Sequence, residues 1–452
     1  MAERYDLAIV GGGPAGQAAA LALQGHGLAV AVIDEQPHPG GQILRQPPRE
    51  FGVTGWMGGK VYAALRRQLG QFEALSGLDW LGGRSVLGLS RSSDASFVLT
   101  LSGRSGVETL RARRVLLATG CQDLAVPLPG WTLPGVYAAG GIQAFVKSQQ
   151  IVPGKRIVLA GTHPLQLLIA DQIVAAGASV SAVMFAQSRQ AMARLLAESP
   201  LVAARQASAL LPAGAAMARL RRRGVPVRFG ESLLGIVGGE RVEGVRSSAG
   251  ETACDAVGLC YGFVPQSALP RMAGAGMRAA GPAGGWAAEC DAWQRTSVAG
   301  LYAAGETTGV AGAAAAQCAG RIAGAGIALD LGLLAPGAAE RRVAGVRRAH
   351  AKHLKFAALL DRIADPTGHF PVMAPSTIVC RCEAVRLADL VSCLDGRSAN
   401  AVKLASRCGM GPCQGRNCEP TLLRLLGDRA DPGFSARFPA RPVMLGDLAA
   451  PE

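Results

Sequence analysis

Along the first 35 residues the apolar positions fall into two short runs, YDLAIV and AVAVID, separated by a glycine cluster and an Ala/Leu-rich stretch. Short continuous runs of this kind predict buried parallel strands, and the stretch between them predicts the helix of a βαβ unit. The pattern returns with the strand Arg156–Ala160, a helix and the strand Ser179–Phe185. Between the two units, 51–78 reads as helical and 85–110 alternates in short runs such as SFVLTL, which predicts an antiparallel excursion. The first sheet resumes at Arg114–Gly120 and again at Gly300–Ala304, the latter leading into a Gly/Ala helix. Beyond it a basic helix is predicted over 339–364 and a shorter one over 386–394.

Proline and glycine punctuate 127–141 and 262–265, where the chain is expected to cross between units. The expected class is α/β, with two Rossmann-like dinucleotide-binding domains and a small helical C-terminal domain. The boundaries read as 1–120 for the first part of domain one, 121–255 for domain two, 256–335 for the return to domain one, and 336–452 for the C-terminal domain.

The glycine cluster is Gly11-Gly12-Gly13-Pro14-Ala15-Gly16, between strand and helix. Gly11 allows the tight turn, Gly13 lets the backbone approach a pyrophosphate, and Gly16 lets the helix pack closely on the sheet. The first helical residues, Pro14 and Ala15 among them, then offer free N–H groups to the phosphates. Asp34 ends the second strand at the right distance to accept hydrogen bonds from both hydroxyls of an adenosine ribose, with Glu35 as a substitute. Gly40, Gly41 and Gln42 follow in a turn expected on the other side of the pyrophosphate. Thr119 and Gly120 would pass the adenosine half, and Gly305, Glu306 and Gly312 form a second cofactor segment. Two-domain flavoproteins commonly carry Asp where Glu306 stands, but its longer side chain still reaches a ribityl chain.

The second βαβ unit has a damaged fingerprint. His163 and Gln166 occupy the places of the second and third glycines, and neither an acid nor an arginine immediately follows the second strand. A structural Rossmann-like domain, or one that holds an adenine nucleotide, fits better than a working nicotinamide site.

Composition narrows the class further. A chain of 452 residues, 49% hydrophobic, can bury large cores. The apolar run at the N-terminus is broken by glycines and by Gln24 to Gly27, so a cytoplasmic chain without a transmembrane span is expected. The net charge of +14 lies in separated clusters such as Arg221–Arg223 and 341–355, which read as solvated faces. Aromatic residues are 5% of the chain, too few for the interleaved pattern of nucleic-acid binding.

Cysteine carries more. Six of the eleven fall between Cys380 and Cys418, while Cys121, Cys254, Cys260, Cys290 and Cys318 are scattered and read as small buried residues. Cys380 and Cys382, a helical excursion, then Cys413 and Cys418 can converge on one centre, while Cys393 reads as a helix-buried thiol and Cys408 lies near enough to be an alternate ligand. Four thiolates suit zinc or a 2Fe-2S cluster, and the spacing does not choose between them. On a flavoprotein, an electron relay is the more economical reading. The chain has no Cys-x-x-Cys for a disulfide mechanism, and its six histidines sit in no acid/base motif.

The segments YDLAIVGGGPAG, DEQPHPGGQ, VLLATG, PLPGWTLPGV, YGFVP, GETTGVAG, CRCE and GMGPCQGRNC together resemble one family along nearly the whole chain. It is the flavoprotein alpha-type subunit of heteromeric dehydrogenases: opine oxidases, D-hydroxyproline dehydrogenase and hydrogen cyanide synthase. The resemblance implies FAD in the first domain and a bacterioferritin-associated-ferredoxin-like 2Fe-2S domain at the C-terminus, with Cys380, Cys382, Cys413 and Cys418 as its ligands. Cys408 stands where a small residue is common and receives no role. FMN at a subunit interface is a further cofactor of such assemblies. The implied partners are a D-amino-acid-oxidase-like subunit that oxidises a small amine and a small iron–sulfur subunit, with any membrane contact made peripherally through them. Two other readings are a self-contained NAD(P)H-dependent reductase and a non-catalytic assembly subunit holding zinc.

Overall fold

The computed structural model describes residues 4–449 apart from 54–55, 104–105, 206 and 428–430. Strand β1 (Arg4–Val10), helix α1 (Pro14–Ala22) and β2 (Val30–Asp34) form the expected first unit. The stretch expected to be helical over 51–78 is helical mainly in α2 (Ala63–Glu73), and Leu78 instead opens a strand, β3 (Leu78–Gly82), that pairs with β2. The excursion is a meander of β4 (Ser85–Arg91), β5 (Phe97–Gly103) and β6 (Gly106–Leu117).

β6 does two jobs. Its first half pairs antiparallel with β5, and its second half carries the parallel pairing with β1 on one edge and with the late-arriving strand Leu301–Ala303 on the other. The resulting order is β3-β2-β1-β6-β5-β4. Alternation along the strands separates two cores. Leu7, Ile9, Val30, Val32 and Leu116 face the helices, whereas Ala8, Val10, Ala31, Ile33, Val115 and Leu117 face the opposite side.

β7 (Cys121–Asp123) leads out to β8 (Val136–Ala138) and α3 (Ala139–Ala144), which continues as a π-helical turn over Phe145–Gln149. β9 (Arg156–Gly161), α4 (Leu165–Ala175) and β10 (Ser179–Phe185) are the second βαβ unit. Helices α5 (Arg189–Glu198), α6 (Pro200–Arg205) and α7 (Ala207–Arg222) follow. Then come β11 (Val227–Phe229) and a three-stranded antiparallel sheet of β12 (Leu233–Val237), β13 (Gly244–Ser247) and β14 (Gly250–Ala253).

β15 (Ala256–Cys260) is fully buried inside the second sheet, in the order β11-β10-β9-β15-β8. The second unit therefore runs past residue 255. The return is β16 (Phe263–Pro265), which pairs antiparallel with β7, so the outgoing and incoming crossings form one two-stranded ribbon.

After α8 (Ala268–Met272), β17 (Met277–Ala279) and β18 (Trp286–Ala288), strand β19 (Leu301–Ala303) completes the first sheet. Helix α9 (Ala313–Asp330) lies on α1, and α10 (Pro336–Ala364) runs along α9. The contact between α1 and α9 needs glycine: a Cβ at Gly320 would stand 2.0 Å from the Ala15 carbonyl oxygen.

The C-terminal part holds β20 (Ile378–Cys380), β21 (Val385–Arg386), α11 (Leu387–Leu394), α12 (Ala399–Ser406), α13 (Glu419–Leu426) and α14 (Leu445–Ala449). Val379, Leu390, Val402, Leu422 and Phe434 close its own small core. The Arg271 guanidinium meets Glu419 at 3.0 Å with both side chains largely buried, and Trp131 Nε1 donates to the Ile378 carbonyl at 2.7 Å. These two contacts dock the C-terminal part on the crossings.

Candidate cofactor cradle and thiol centre

The glycine cluster turns where β1 ends. A Cβ at Gly11 would meet the Ala118 carbonyl oxygen at 2.3 Å, and one at Gly16 would meet the Gly11 carbonyl oxygen at 2.0 Å. Both glycines are thus demanded by backbone passing backbone. Gly13 lies against Gly41, whose φ of +61° and whose notional Cβ, 2.8 Å from the Gly13 Cα, both require glycine. The two glycine loops are in this way held side by side, and Gly40 N–H donates to the Gly12 carbonyl at 3.0 Å.

Asp34 reaches the same loop. Its Oδ2 accepts from Gly12 N–H at 2.6 Å and its Oδ1 from Gln36 N–H at 2.8 Å. Burial raises its pKa, and the two N–H donors work against that rise. Glu35 turns elsewhere: it is exposed and pairs with Arg441 at 3.4 Å, so it does not share the work of Asp34 at the loop. Trp80, unremarked in the sequence, lies over Gly12, where an added Cβ would meet its ring at 2.5 Å.

The second segment closes the ring. Gly305 packs against Ala15, with a notional Cβ 2.8 Å from the Ala15 Cβ, and the Thr307 hydroxyl lies 3.1 Å from that of Thr119 while accepting from Gly120 N–H at 3.2 Å. Glu306 Oε1 accepts from Gly312 N–H at 3.3 Å, and its Oε2 accepts from the Cys121 thiol at 2.9 Å. Gln42 Nε2 donates to the Cys121 carbonyl at 3.2 Å. The structure therefore brings together Gly11, Gly13, Pro14, Ala15, Gly16, Asp34, Gly40, Gly41, Gln42, Thr119, Gly120, Gly305, Glu306 and Gly312, and leaves out Glu35. Cys121, expected to be a small buried residue, is half-buried and tied to Glu306; burial, then the nearby carboxylate, pushes its pKa up and keeps it a thiol.

Lys147 is another residue missed by sequence reading. Its ammonium donates to Gln143 Oε1 at 2.7 Å and to the carbonyls of Gln42 and Ile43 at 3.3 and 3.2 Å, which ties the π-helical turn to the second glycine loop. Burial, helped by the charge of Arg45, pushes its pKa down to about 7.

The turn of the second βαβ unit is arranged differently. His163 accepts the Leu165 N–H at 3.2 Å through Nδ1, lies edge-to-face on Phe263, and is held neutral by burial, with a pKa pushed down to about 4. One of the helix-start donors that a phosphate needs is thereby spent. The C-terminal end of α10 also sits on this turn: Thr162 donates to the Ala364 carbonyl at 2.7 Å, and Gln187 Nε2 donates to the carbonyls of Thr162 and Ile363 at 3.1 and 2.8 Å. A helix C-terminus carries partial negative charge and disfavours a pyrophosphate beside it.

In the C-terminal part, the sulfurs of Cys380, Cys408 and Cys418 lie within 4.8 Å of one another and all three residues are buried. Cys382, exposed, contacts the half-buried Cys413. Of the expected ligand set, Cys380 and Cys418 stand in the inner three beside Cys408, which its place in the sequence offers as an alternate ligand and the resemblance leaves without a role, while Cys382 and Cys413 stand apart from them. Cys393 is half-buried on α11, its thiol donating to the Asp389 carbonyl at 3.5 Å. Soft sulfur donors without carboxylate or imidazole fit zinc or an iron–sulfur cluster.

A hydrogen-bonded path joins the two places. Thr119 donates to the Gln266 carbonyl at 3.1 Å, Gln266 Nε2 to Gln122 Oε1 at 2.9 Å, and Gln122 Nε2 to the Arg416 carbonyl at 2.8 Å, inside the loop between Cys413 and Cys418.

The family model for pyridine nucleotide-disulphide oxidoreductases matches residues 5–329. The chain belongs to that family. Within this oxidoreductase family it is similar over its whole length to one of the opine oxidase subunits of Rhizobium meliloti (strain 1021), at 33% identity over 98% of each chain. It is also 32% identical to the HcnB subunit of hydrogen cyanide synthase from Pseudomonas aeruginosa, over 96% of each. Among solved structures, L-proline dehydrogenase from P. horikoshii shares the fold, with a TM-score of 0.69 and 20% identity over 99% of this chain and 80% of that one. The chain is thus a flavin-dependent oxidoreductase, the family implies FAD, and its full-length relatives are subunits of larger enzymes. Among the described residues, no helix is long and apolar enough to cross a membrane.

Proposed function

We propose that this chain is the FAD- and 2Fe-2S-holding electron-transfer subunit of a heteromeric dehydrogenase that oxidises an amino acid, imino acid or opine. The observation that carries this reading is the path Thr119–Gln266–Gln122–Arg416, which couples the glycine cradle to the loop of Cys413 and Cys418. FAD accepts electrons in pairs, and a 2Fe-2S cluster passes them on singly towards a quinone or another acceptor.

The residues divide the work. Gly11 and Gly16 shape the turn; Gly13 would take the pyrophosphate beside the N–H donors at the N-terminus of α1, Asp34 would face the ribose, and Glu306 with Gly312 would face the ribityl side. The five thiols provide the cluster site. Amine oxidation is assigned to a D-amino-acid-oxidase-like partner, and a small iron–sulfur subunit completes the assembly; what supports this is that the full-length relatives are themselves subunits of larger enzymes. The negative end of α10 over Thr162 and Gln187 counts against the NAD(P)H-dependent reductase and against an adenine nucleotide's phosphate at that turn.

The test is anaerobic mixing of the purified complex with D-hydroxyproline, an opine or glycine, after assay of flavin, iron and sulfide. Flavin bleaching by one of these amines, with a cluster signal following, is expected. Rapid reduction by NADH or NADPH in place of the amines would favour the stand-alone reductase, and zinc without iron would remove the relay.

A further inference from the structure

Five thiols surround a site for which four suffice, and they are unevenly placed. Cys380, Cys408 and Cys418 form a buried set with sulfurs no more than 4.8 Å apart, while Cys382 and Cys413 form a rim pair. Two thiolates on one tetrahedral metal, each about 2.3 Å from it, stand ~3.8 Å apart, so three sulfurs no more than 4.8 Å from one another are within reach of one metal.

The backbone around Cys408 is built to face it inward. Arg407 takes a left-handed turn, φ +64°, at the end of α12, and its guanidinium holds Glu383 at 2.8 Å, which fastens the Cys408 loop to the Cys382 loop. The Ser406 hydroxyl accepts Cys408 N–H at 3.1 Å, and the next N–H, of Gly409, points at Cys380 Sγ at 3.4 Å. Gly409 itself must be glycine, since a Cβ there would enter the Phe434 ring, 2.5 Å from its nearest atom. An ordinary buried small residue requires neither the inward turn nor an N–H donor aimed at the neighbouring sulfur.

We propose that Cys408 is a reserve ligand of the inner metal position: with Cys380 and Cys418 it gives that position three thiols for two places, so that it replaces either one when it is lost. The outer position, with Cys382 and Cys413 alone, has no such reserve. In the exchange the Cys408 thiol gives its proton to solvent and its sulfur takes the vacated coordination place, with no change in oxidation state. The proposal rests on the reading of these thiols as an iron–sulfur site.

The experiment compares the full chain with its Cys408→Ala, Cys418→Ala, Cys382→Ala and Cys408→Ala/Cys418→Ala variants. Iron and labile sulfide per flavin, and the electron paramagnetic resonance spectrum after dithionite reduction, are measured; bound flavin reports that each variant has folded. Expected are a retained cluster in Cys408→Ala, a retained cluster with a shifted spectrum in Cys418→Ala, and loss of iron and sulfide in Cys382→Ala and in the double variant. Complete loss in Cys418→Ala, or loss in Cys408→Ala alone, would overturn the reserve role. A wild-type chain without iron or sulfide would overturn the relay reading as well as this proposal, and is distinguished by failing before any substitution is made.

Discussion

At Gly41 the chain adopts φ +61° with its Cα directly against Gly13, so a methyl group meets backbone on one side and conformational strain on the other. Neither loop can retreat easily: Gly40 is bonded to Gly12, and Gly12 to Asp34. Gly41→Ala is therefore expected to part the two loops and lower FAD affinity by at least about tenfold, about 1.4 kcal/mol, read as flavin retained through gel filtration. Unchanged flavin content would mean that the second loop does not contact the cofactor. Cys121 teaches a different lesson at the same scale. Its neighbours in sequence mark it as a small residue after a strand, and only the return of Glu306 from 185 positions downstream makes it a hydrogen-bonded thiol beside the cradle.

Between elements, Lys147 links the π-helical turn to the loop after Gly41 through two carbonyls. Its pKa falls from 10.5 in the unfolded chain to about 7 in the folded one. Between those values the unfolded chain binds a proton that the folded chain has released, so this residue makes stability rise with pH across that window. Lys147→Met should remove the rise. In urea unfolding at pH 7 and pH 9.5, the wild type is expected to gain on the variant by up to about 1.4 kcal/mol per pH unit, and parallel behaviour would show that the ammonium is not buried as described. Helices α1 and α9 are legible in the sequence as helices, but that they cross closely through Gly320 is seen only in the fold. α10 was legible as a helix but not as a cover: Thr162 and Gln187 are ordinary residues until the last carbonyls of α10 arrive over them.

For the whole molecule, the ribbon of β7 and β16 carries the crossings between the two sheets and touches the C-terminal part through Gln122. Gln122 lies on it and touches Gln266 on one side and the Arg416 carbonyl on the other. Gln122→Ala should leave flavin and iron content unchanged and slow electron passage from flavin to cluster by about tenfold, a barrier change near 1.4 kcal/mol, measured by stopped-flow absorbance after amine reduction. Equal rates in the two proteins would show that the electrons take another route. The contacts of Arg271 with Glu419 and of Trp131 with Ile378 hold the C-terminal part in place, and leave this geometry intact in the variant.

The sequence by itself determined the two βαβ units, the Gly/Ala helix and the clustered cysteines, because strand burial, helical pattern and turn geometry are written in neighbouring residues at short period. It also marked most of the cradle, since the spacing of Gly11, Gly13 and Gly16 between strand and helix is itself a short-range pattern. The tertiary structure alone decided that Ala256–Cys260 belongs to the second sheet, that Glu35 faces Arg441, that α10 covers the second turn and that Cys408 joins the inner thiols. Each of these depends on which distant segment arrives beside a residue, and a one-dimensional pattern carries no record of that.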